Sequence, residues 1–218
     1  MTRDAGNEPD LQAGLPDTFP QVAIVVYPGV SELELGLMLG LLAPLGQPGS
    51  VGTPDAAALT VARSRGSVMC LGGLVCTPQL IFAAAPRLAG VLLPGGQGAQ
   101  KAGRDPGLRA FLSAAQAAGL PVGVSGSGLM LAGEAGLLAD RTLGCPAVLV
   151  DTVWGYMPAD IQQDETVADA SGPSPFCSGP GGLNAARIAL ALATRVWGEQ
   201  AAAGAAARIG LGAPALTG

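Results

Sequence analysis

Histidine is absent from this chain of 218 residues. Imidazole is the usual proton carrier near neutral pH and a common ligand of transition metals. Its absence excludes a Ser-His-Asp triad, a Cys-His pair and most first-row metal sites that one chain could build. The chemistry left open uses carboxylates, hydroxyls, thiols and backbone amides. We therefore expect neither a metal nor a cofactor.

Charged residues are also scarce. They make up 12% of the chain, and the net charge is −5. A basic stripe is missing, which argues against a nucleic-acid partner. The most hydrophobic stretch, residues 33–42, is too short to cross a bilayer and contains Glu34. Residues 1–10 lack the apolar core of a signal peptide. We expect a cytoplasmic protein without a membrane partner.

The cysteines form no Cys-x-x-Cys pair, which argues against a zinc site. In the cytosol their default state is the reduced thiol. Gly72-Gly73 separates two short apolar segments and predicts a hairpin with a two-residue turn. In that register Cys70 faces Val75 rather than Cys76, which argues against a local disulfide.

Short apolar strands alternate with helical segments along the chain. This pattern predicts an α/β fold in which helices cover both faces of a mostly parallel sheet. We expect a flexible tail over residues 1–20, one domain over residues 21–198, and an Ala- and Gly-rich helix or tail over residues 199–218. Sites in such sheets lie beyond the carboxyl ends of the strands. The loops that qualify are residues 28–34, 94–98 and 124–128.

Ser125 lies between a predicted strand and a predicted helix. Residues 123–127 read G-V-S-G-S, which matches a G-x-S-x-G nucleophile elbow except at its last position. Such a turn projects its central side chain outward. The backbone N–H groups of Gly95, Gly96 and Gly126 can then form an oxyanion hole or an anion site. A plain glycine-rich turn between strand and helix explains the same residues.

Glu34 is the single ionisable residue of the apolar stretch 33–42, which is predicted to be helical. One interpretation is a partly buried carboxylate that faces the site and shares a proton with Ser125. The other is structural. The spacing Ser31-x-x-Glu34 is that of a capping box, in which the glutamate bonds back to the serine.

Five segments, in this order and spacing, resemble the ThiJ/PfpI family of the class I glutamine amidotransferase-like superfamily. The central segment resembles the family pattern V-C-T-G…L-A…A-G-L-L-D-G-R. The similarity extends from about residue 22 to residue 197 and is strongest to isonitrile hydratase-like members. The segments are residues 22–34, 71–78, 90–96, 122–141 and 176–184.

The resemblance implies a flavodoxin-like three-layer α/β/α sandwich with a small β-hairpin, and it implies a homodimer. It implies that Glu34 is the acidic partner and that Ser125 stands at the nucleophile position. It also implies roles in an oxyanion hole or ligand site for Gly95, Gly96, Gly126 and Ser127.

Two departures from the family pattern bear on activity. Ser125 replaces the reactive cysteine, and a serine hydroxyl needs a general base to become a nucleophile. Cys145 stands near where many relatives carry a histidine. Both departures favour a protein that binds a small molecule without cysteine-dependent catalysis.

Two other functions stay open. One is an active hydratase or hydrolase, similar to isonitrile hydratase, that uses Glu34 as acid and base together with Ser125. The other is a nucleotide-binding domain that uses the pattern Gly123-x-x-Gly126-x-Gly128, although that pattern lies far from the first strand.

Overall fold

The structure is a computed structural model that describes residues 19–46 and 56–211. Within these residues the strands are β1 Val22–Val25, β2 Ala58–Ala62, β3 Val68–Met69, β4 Val75–Cys76, β5 Leu80–Ile81, β6 Gly90–Leu93, β7 Val122–Ser125, β8 Thr142–Cys145, β9 Asp160–Gln163, β10 Val167–Asp169 and β11 Phe176–Gly179. The α-helices are α1 Glu32–Leu42, α2 Ala99–Gly103, α3 Pro106–Ala117, α4 Gly128–Glu134, α5 Val150–Trp154, α6 Asn184–Trp197 and α7 Glu199–Arg208.

The central sheet has seven strands in the order β10-β11-β7-β6-β1-β2-β5. Every neighbouring pair is parallel except β10 and β11, which are antiparallel. Strands β1, β6 and β7 are buried along their whole length, as expected of parallel strands covered on both faces. The predicted mostly parallel α/β sheet is confirmed.

The helices form two groups. Helix α6 packs against α1 and α7, whereas α2, α3 and α4 pack against one another. Local signals in the sequence define some of the helix starts. Asp105 caps α3 by accepting hydrogen bonds from the N–H groups of Gly107 at 2.9 Å and Leu108 at 3.0 Å, and Pro106 occupies the first helical position. No helix in the described ranges is long and apolar enough to cross a membrane.

The hairpin of β3 and β4 is present, but its expected register is wrong. The observed pairs are Val68 with Cys76 and Met69 with Val75. The N–H of Cys70 donates to the carbonyl of Leu74 at 2.7 Å, so the loop contains three residues rather than two. A shift of one residue changes which side chains share a face.

Strands β8 and β9 form a separate parallel pair that the sequence did not predict. Glycine interrupts the apolar character of β8, and β9 is polar, so neither strand has a clear local signal. The predicted helix over residues 147–156 is also shorter than expected. A 3-10 turn, Ala147–Leu149, precedes α5 and takes up the first part of that segment.

A buried ion pair joins β10 to the segment before β8. Arg141 is 1% exposed, and its Nη1 lies 3.5 Å from Oδ1 of Asp169. The Arg141 Nε donates to the carbonyl of Leu137 at 2.9 Å, and the guanidinium lies 4.9 Å from the ring centroid of Phe176. Oδ2 of Asp169 also accepts a hydrogen bond from the N–H of Thr142 at 2.7 Å.

Candidate functional site

Four loops meet beyond the carboxyl ends of adjacent strands. They follow β1, β6, β7 and β11, which lie side by side in the sheet. Because these strands are parallel, their following loops gather at one edge. Three of these loops are the ones that the sequence predicted. The fourth, after β11, brings Gly181 and Gly182 to the site.

The Glu34 carboxylate lies at the centre of these loops. Glu34 is 6% exposed. Its Oε2 accepts a hydrogen bond from the N–H of Gly95 at 2.6 Å, and its Oε1 accepts one from the N–H of Gly182 at 2.9 Å. A side chain at Gly181 would place its Cβ 3.0 Å from Glu34 Oε1, so glycine there leaves room for the carboxylate.

The capping box at the start of α1 is only half formed. Ser31 is the N-cap, and its Oγ accepts a hydrogen bond from the N–H of Glu34 at 3.3 Å. The reciprocal bond is absent because the N–H of Ser31 donates to the carbonyl of Gly95 at 2.8 Å. Helix capping therefore leaves the Glu34 side chain available to the site.

Ser125 does not face the site in the way expected. It is 0% exposed, and its Oγ has no hydrogen-bond partner among the described residues. Along β7 the side chain of Ser125 lies on the same face as Gly123, whose missing Cβ would contact Ile188 of α6. The hydroxyl is therefore buried on the α6 side of the sheet, and the expected hydrogen bond to Glu34 is not formed.

The sharp turn of the elbow occurs at Gly126. This residue has a φ of 52°, in the left-handed region. A Cβ built on Gly126 would lie 3.6 Å from Glu34 Oε1 and 3.3 Å from the Cα of Gly181. The position that projects toward the carboxylate therefore carries no side chain.

The backbone amides expected to form an oxyanion hole already have partners. Gly126 donates its N–H to the carbonyl of Gly179 at 2.9 Å. The N–H of Gly96 donates to Oγ of Ser127 at 2.8 Å, and that hydroxyl donates to the carbonyl of Gly96 at 2.9 Å. The structure thus brings together Glu34, Gly95, Gly96 and Ser127, but it does not leave the predicted pair of amides free.

An open depression of about 470 Å³ borders Glu34 and Ser127. Its lining combines polar groups with two apolar side chains, and it contains no cationic residue. The lining residues are Ser31, Glu34, Leu71, Gly96, Gln97, Gln100, Ser127 and Met130. A second cavity of about 320 Å³, between the ends of β1 and β2 and the helices α2 and α3, contains none of the predicted site residues.

Two further ionisable groups lie at or near this edge of the sheet. Tyr27 donates its hydroxyl proton to the carbonyl of Pro94 at 2.8 Å, and burial together with the charge of Glu34 raises the pKa of Tyr27 well above 10.0. Cys145 is fully buried in β8 and does not line the depression. Burial, with a smaller effect of Asp164, raises the pKa of Cys145 to about 11. The thiol therefore stays protonated near neutral pH and does not replace a histidine as a general base.

Metal-ligating side chains do not cluster here. Across residues 19–46 and 56–211, no group of three or more Cys, Asp and Glu residues is arranged to hold a metal ion. The polar groups that line the depression are hydroxyls, amides and one carboxylate. The arrangement is suited to hydrogen bonding with a small polar ligand.

Sequence reasoning missed the part played by Gly181 and Gly182. Both have positive φ values, 93° and 60°, so their backbone conformations favour glycine. The run G-P-G-G before the last long helix was the available signal, and it indicated only a turn. Its contact with Glu34 joins positions 148 residues apart, which no local pattern reveals.

Comparisons with known proteins give matches among solved structures alone. No family model matches the chain. No curated protein matches it either.

Several solved structures share its architecture. A ThiJ/PfpI family protein from Pseudomonas syringae superposes with a TM-score of 0.74 at 23% identity, over 96% of this chain and 81% of that protein. DJ-1beta of Drosophila melanogaster gives 0.73 at 17% identity, over 88% of this chain and 98% of that one. A mutant DJ-1 superfamily protein of Salmonella typhimurium gives 0.71 at 22% identity, with coverages of 88% and 99%. This chain therefore has the flavodoxin-like α/β fold of these ThiJ/PfpI and DJ-1 proteins.

Proposed function

We propose that this chain is a member of the ThiJ/PfpI family that binds a small molecule beside Glu34 without a covalent nucleophile. One observation carries the proposal. The elbow residue with left-handed backbone, Gly126, has no side chain, and the space for its Cβ lies 3.6 Å from Glu34 Oε1. A carboxylate and a shaped elbow are present, but the reactive atom between them is absent.

The family pattern supports an alignment of the elbow with Gly126 at the cysteine position. If the V-C-T-G segment begins its C-T-G at Gly126, then Ser127 corresponds to the threonine and Gly128 to the glycine. An alignment that places Ser125 at the cysteine position leaves Gly128 without a counterpart in the pattern. Nucleophile elbows store backbone strain at the nucleophile itself, which also favours Gly126 as the apex. In this alignment glycine, rather than serine, replaces the cysteine.

The alignment also moves the candidate oxyanion donor by one residue. The amide that follows the apex is that of Ser127, whose N–H has no backbone or side-chain acceptor in the described part of the chain. Together with the carboxamides of Gln97 and Gln100 at the rim, it offers donors to an oxygen-bearing ligand. Because no cation lines the depression and Glu34 adds negative charge, the site disfavours an anion, and its hydrogen-bond donors favour an uncharged ligand with carbonyl or hydroxyl groups.

A matched pair of cysteine variants tests the proposal. In Gly126→Cys we expect a thiol beside Glu34 that iodoacetamide alkylates faster than the thiol of Ser125→Cys, which is buried under α6. Site-resolved mass spectrometry separates either product from the four native cysteines. Faster labelling of Ser125→Cys would overturn the choice of Gly126 as the apex.

Ligand binding needs its own measurement. A thermal-shift screen of small neutral amides and alcohols on the native chain should give hits whose stabilisation disappears in Gln97→Leu and in Gln100→Leu. Gln116→Leu, on helix α3 and outside the depression, is the matched control. A compound that still stabilises both Gln97→Leu and Gln100→Leu would bind outside the depression.

The surviving carboxylate favours one second candidate, a hydratase similar to isonitrile hydratase. Glu34 lines the depression and is positioned to exchange a proton with a bound molecule. Adding water to an isonitrile yields an N-substituted formamide and requires proton transfer rather than a covalent thiolate. Formamide production by the native chain but not by Glu34→Gln would support this candidate, and equal rates would exclude it.

We also propose that the chain forms a homodimer through its hairpin. Met69 and Val75 are opposite each other on the outer face, and they are 64% and 59% exposed. Leu74 at the hairpin turn and Leu33 on α1 are further exposed apolar side chains, at 57% and 52%. The variant Val75→Lys should shift the species seen by sedimentation to monomer, whereas Val148→Lys, an exposed apolar site on another surface, should not.

A further inference from the structure

The hairpin brings two thiols into contact on one face. Cys76 pairs with Val68 across the hairpin, and Cys70 is two residues beyond Val68 on the same strand side. Cys70 and Cys76 are therefore diagonal neighbours rather than residues on opposite faces. Their Sγ atoms lie 3.8 Å apart.

The local structure allows a disulfide bond to form between these two sulfurs. Both thiols are free in the structure. A disulfide needs a sulfur separation of about 2.05 Å, so the atoms must approach by roughly 1.8 Å. Strands β3 and β4 have only two residues each, so few ladder hydrogen bonds resist a small shift of the hairpin.

We propose that Cys70 and Cys76 form a reversible disulfide on reaction with a low-molecular-weight disulfide such as oxidised glutathione. Cys76 is half-buried and reacts first. Its thiolate attacks one sulfur of the reagent, forms a mixed disulfide and expels one thiolate. The Cys70 sulfur then attacks Sγ of Cys76, gives its proton to solvent and expels the second thiolate.

The electrons balance across these two steps. The two cysteines together lose two electrons and two protons, and the reagent is reduced to two thiols. The order of attack agrees with the chemistry of the pair. Burial, followed by the hydrogen bond and charge of Cys76, raises the pKa of Cys70 to about 11, so the Cys70 thiol stays largely protonated and is a poor nucleophile for the first step.

The disulfide would fix the turn that forms one wall of the depression. Leu71 follows Cys70 directly and lines the depression beside Glu34. The N–H of Gly72 donates to Oε1 of Glu32 at 2.7 Å, which ties the turn to the start of α1. Any effect of oxidation on ligand affinity rests on the proposed small-molecule site, whereas formation of the disulfide does not.

Peptide mapping of the native chain tests the proposal. Trypsin cleaves after Arg65 and Arg87, and the intervening peptide contains Cys70 and Cys76 as its only cysteines. After treatment with oxidised glutathione we expect this peptide to lose two hydrogens and to resist iodoacetamide. Treatment with dithiothreitol should restore both properties.

Two kinds of variant control the experiment. In Cys70→Ser, the attack that releases glutathione is impossible, so Cys76 should retain a stable glutathione adduct. In Cys177→Ser the hairpin disulfide should form as in the native chain. A native peptide that stops at the mixed disulfide, or whose two thiols stay free, would overturn the proposal.

Discussion

Oε1 of Glu34 accepts a hydrogen bond from the N–H of Gly182 at 2.9 Å, although the two residues lie 148 positions apart in the chain. The other carboxylate oxygen accepts the N–H of Gly95. One buried side chain thus joins the loops after β6 and β11 to the first turn of α1. The carboxylate therefore stabilises the fold, whatever its part in binding. Its replacement should lower the stability of the chain as well as affect function.

Glu34→Ala should destabilise the fold. The buried N–H of Gly95 and the part-buried N–H of Gly182 lose their acceptor, which should lower the free energy of unfolding by about 3 kcal/mol. Urea denaturation of the native and variant chains measures the change. Glu32→Ala is the matched control, since Glu32 also accepts a backbone N–H, from Gly72, but does so at the surface. A loss in Glu32→Ala as large as in Glu34→Ala would contradict the role given to burial.

Gly181→Ala should also destabilise the chain. The residue has a φ of 93°, and a Cβ there would lie 3.0 Å from Glu34 Oε1. Backbone strain and displacement of the carboxylate together should cost about 2 kcal/mol. Gly36→Ala is the control because its Cβ would meet nothing within 4 Å and lies within α1. That change should stabilise the chain by about 0.5–1 kcal/mol, and differential scanning calorimetry distinguishes the opposite signs.

The two serines of the elbow should respond differently to alanine. Ser125→Ala removes a buried hydroxyl without a partner, so stability should stay unchanged or rise by up to about 1 kcal/mol. Ser127→Ala removes both hydrogen bonds to Gly96 and should cost about 1–2 kcal/mol. Chemical denaturation compares them. A clear loss of stability in Ser125→Ala would indicate a partner for its hydroxyl.

Acid should weaken the Arg141–Asp169 pair. Burial by itself would raise the pKa of Asp169, but hydrogen bonds from Ser171 and Thr142 and the charge of Arg141 outweigh it and lower the pKa below 3.8. A carboxyl whose pKa is lower in the folded state stabilises that state above its unfolded pKa. This contribution is lost as the pH falls below 3.8 and through the folded value.

Asp169→Asn isolates this effect. At pH 7 the variant leaves a buried guanidinium without its charge partner and should be less stable by about 3 kcal/mol. As the pH falls below 3.8 and through the lowered pKa of the folded state, the difference between the native chain and the variant should shrink, because Asp169 is protonated first in the unfolded state and then in the folded state. Unfolding measured at pH 7, 5 and 3 gives the trend, and a difference independent of pH would refute it.

Predictions from local sequence patterns succeeded where all the residues that determine a structural feature lie in one segment. The cap of Asp105 and the proline at the start of α3 needed only neighbouring residues. The hairpin was placed correctly by Gly72-Gly73, but its register was not. Whether a glycine pair forms a two-residue or a three-residue loop depends on the contacts of the turn, and here the N–H of Gly72 bonds to Glu32 of α1.

At the elbow of the candidate site, too, the local sequence predicts the presence of a turn but not its exact geometry. A strand, a run of glycines and a helix located the turn within one residue, yet they did not identify its apex. Ser125 and Gly126 are both compatible with the local pattern. The orientation of each depends on the last pairing of β7 with β11 and on the space left by Gly181.

The sequence by itself determined that this is an α/β protein without imidazole chemistry, and that its candidate site lies in the loops after β1, β6 and β7. Strand periodicity, composition and the absence of a residue type are properties of the sequence alone and do not depend on contacts between distant segments. Only the tertiary structure decided that Ser125 is buried, that Gly126 occupies the elbow apex, and that Cys70 contacts Cys76. These facts depend on strand register and on contacts between distant segments, where a shift of one residue exchanges the side chains of the two faces.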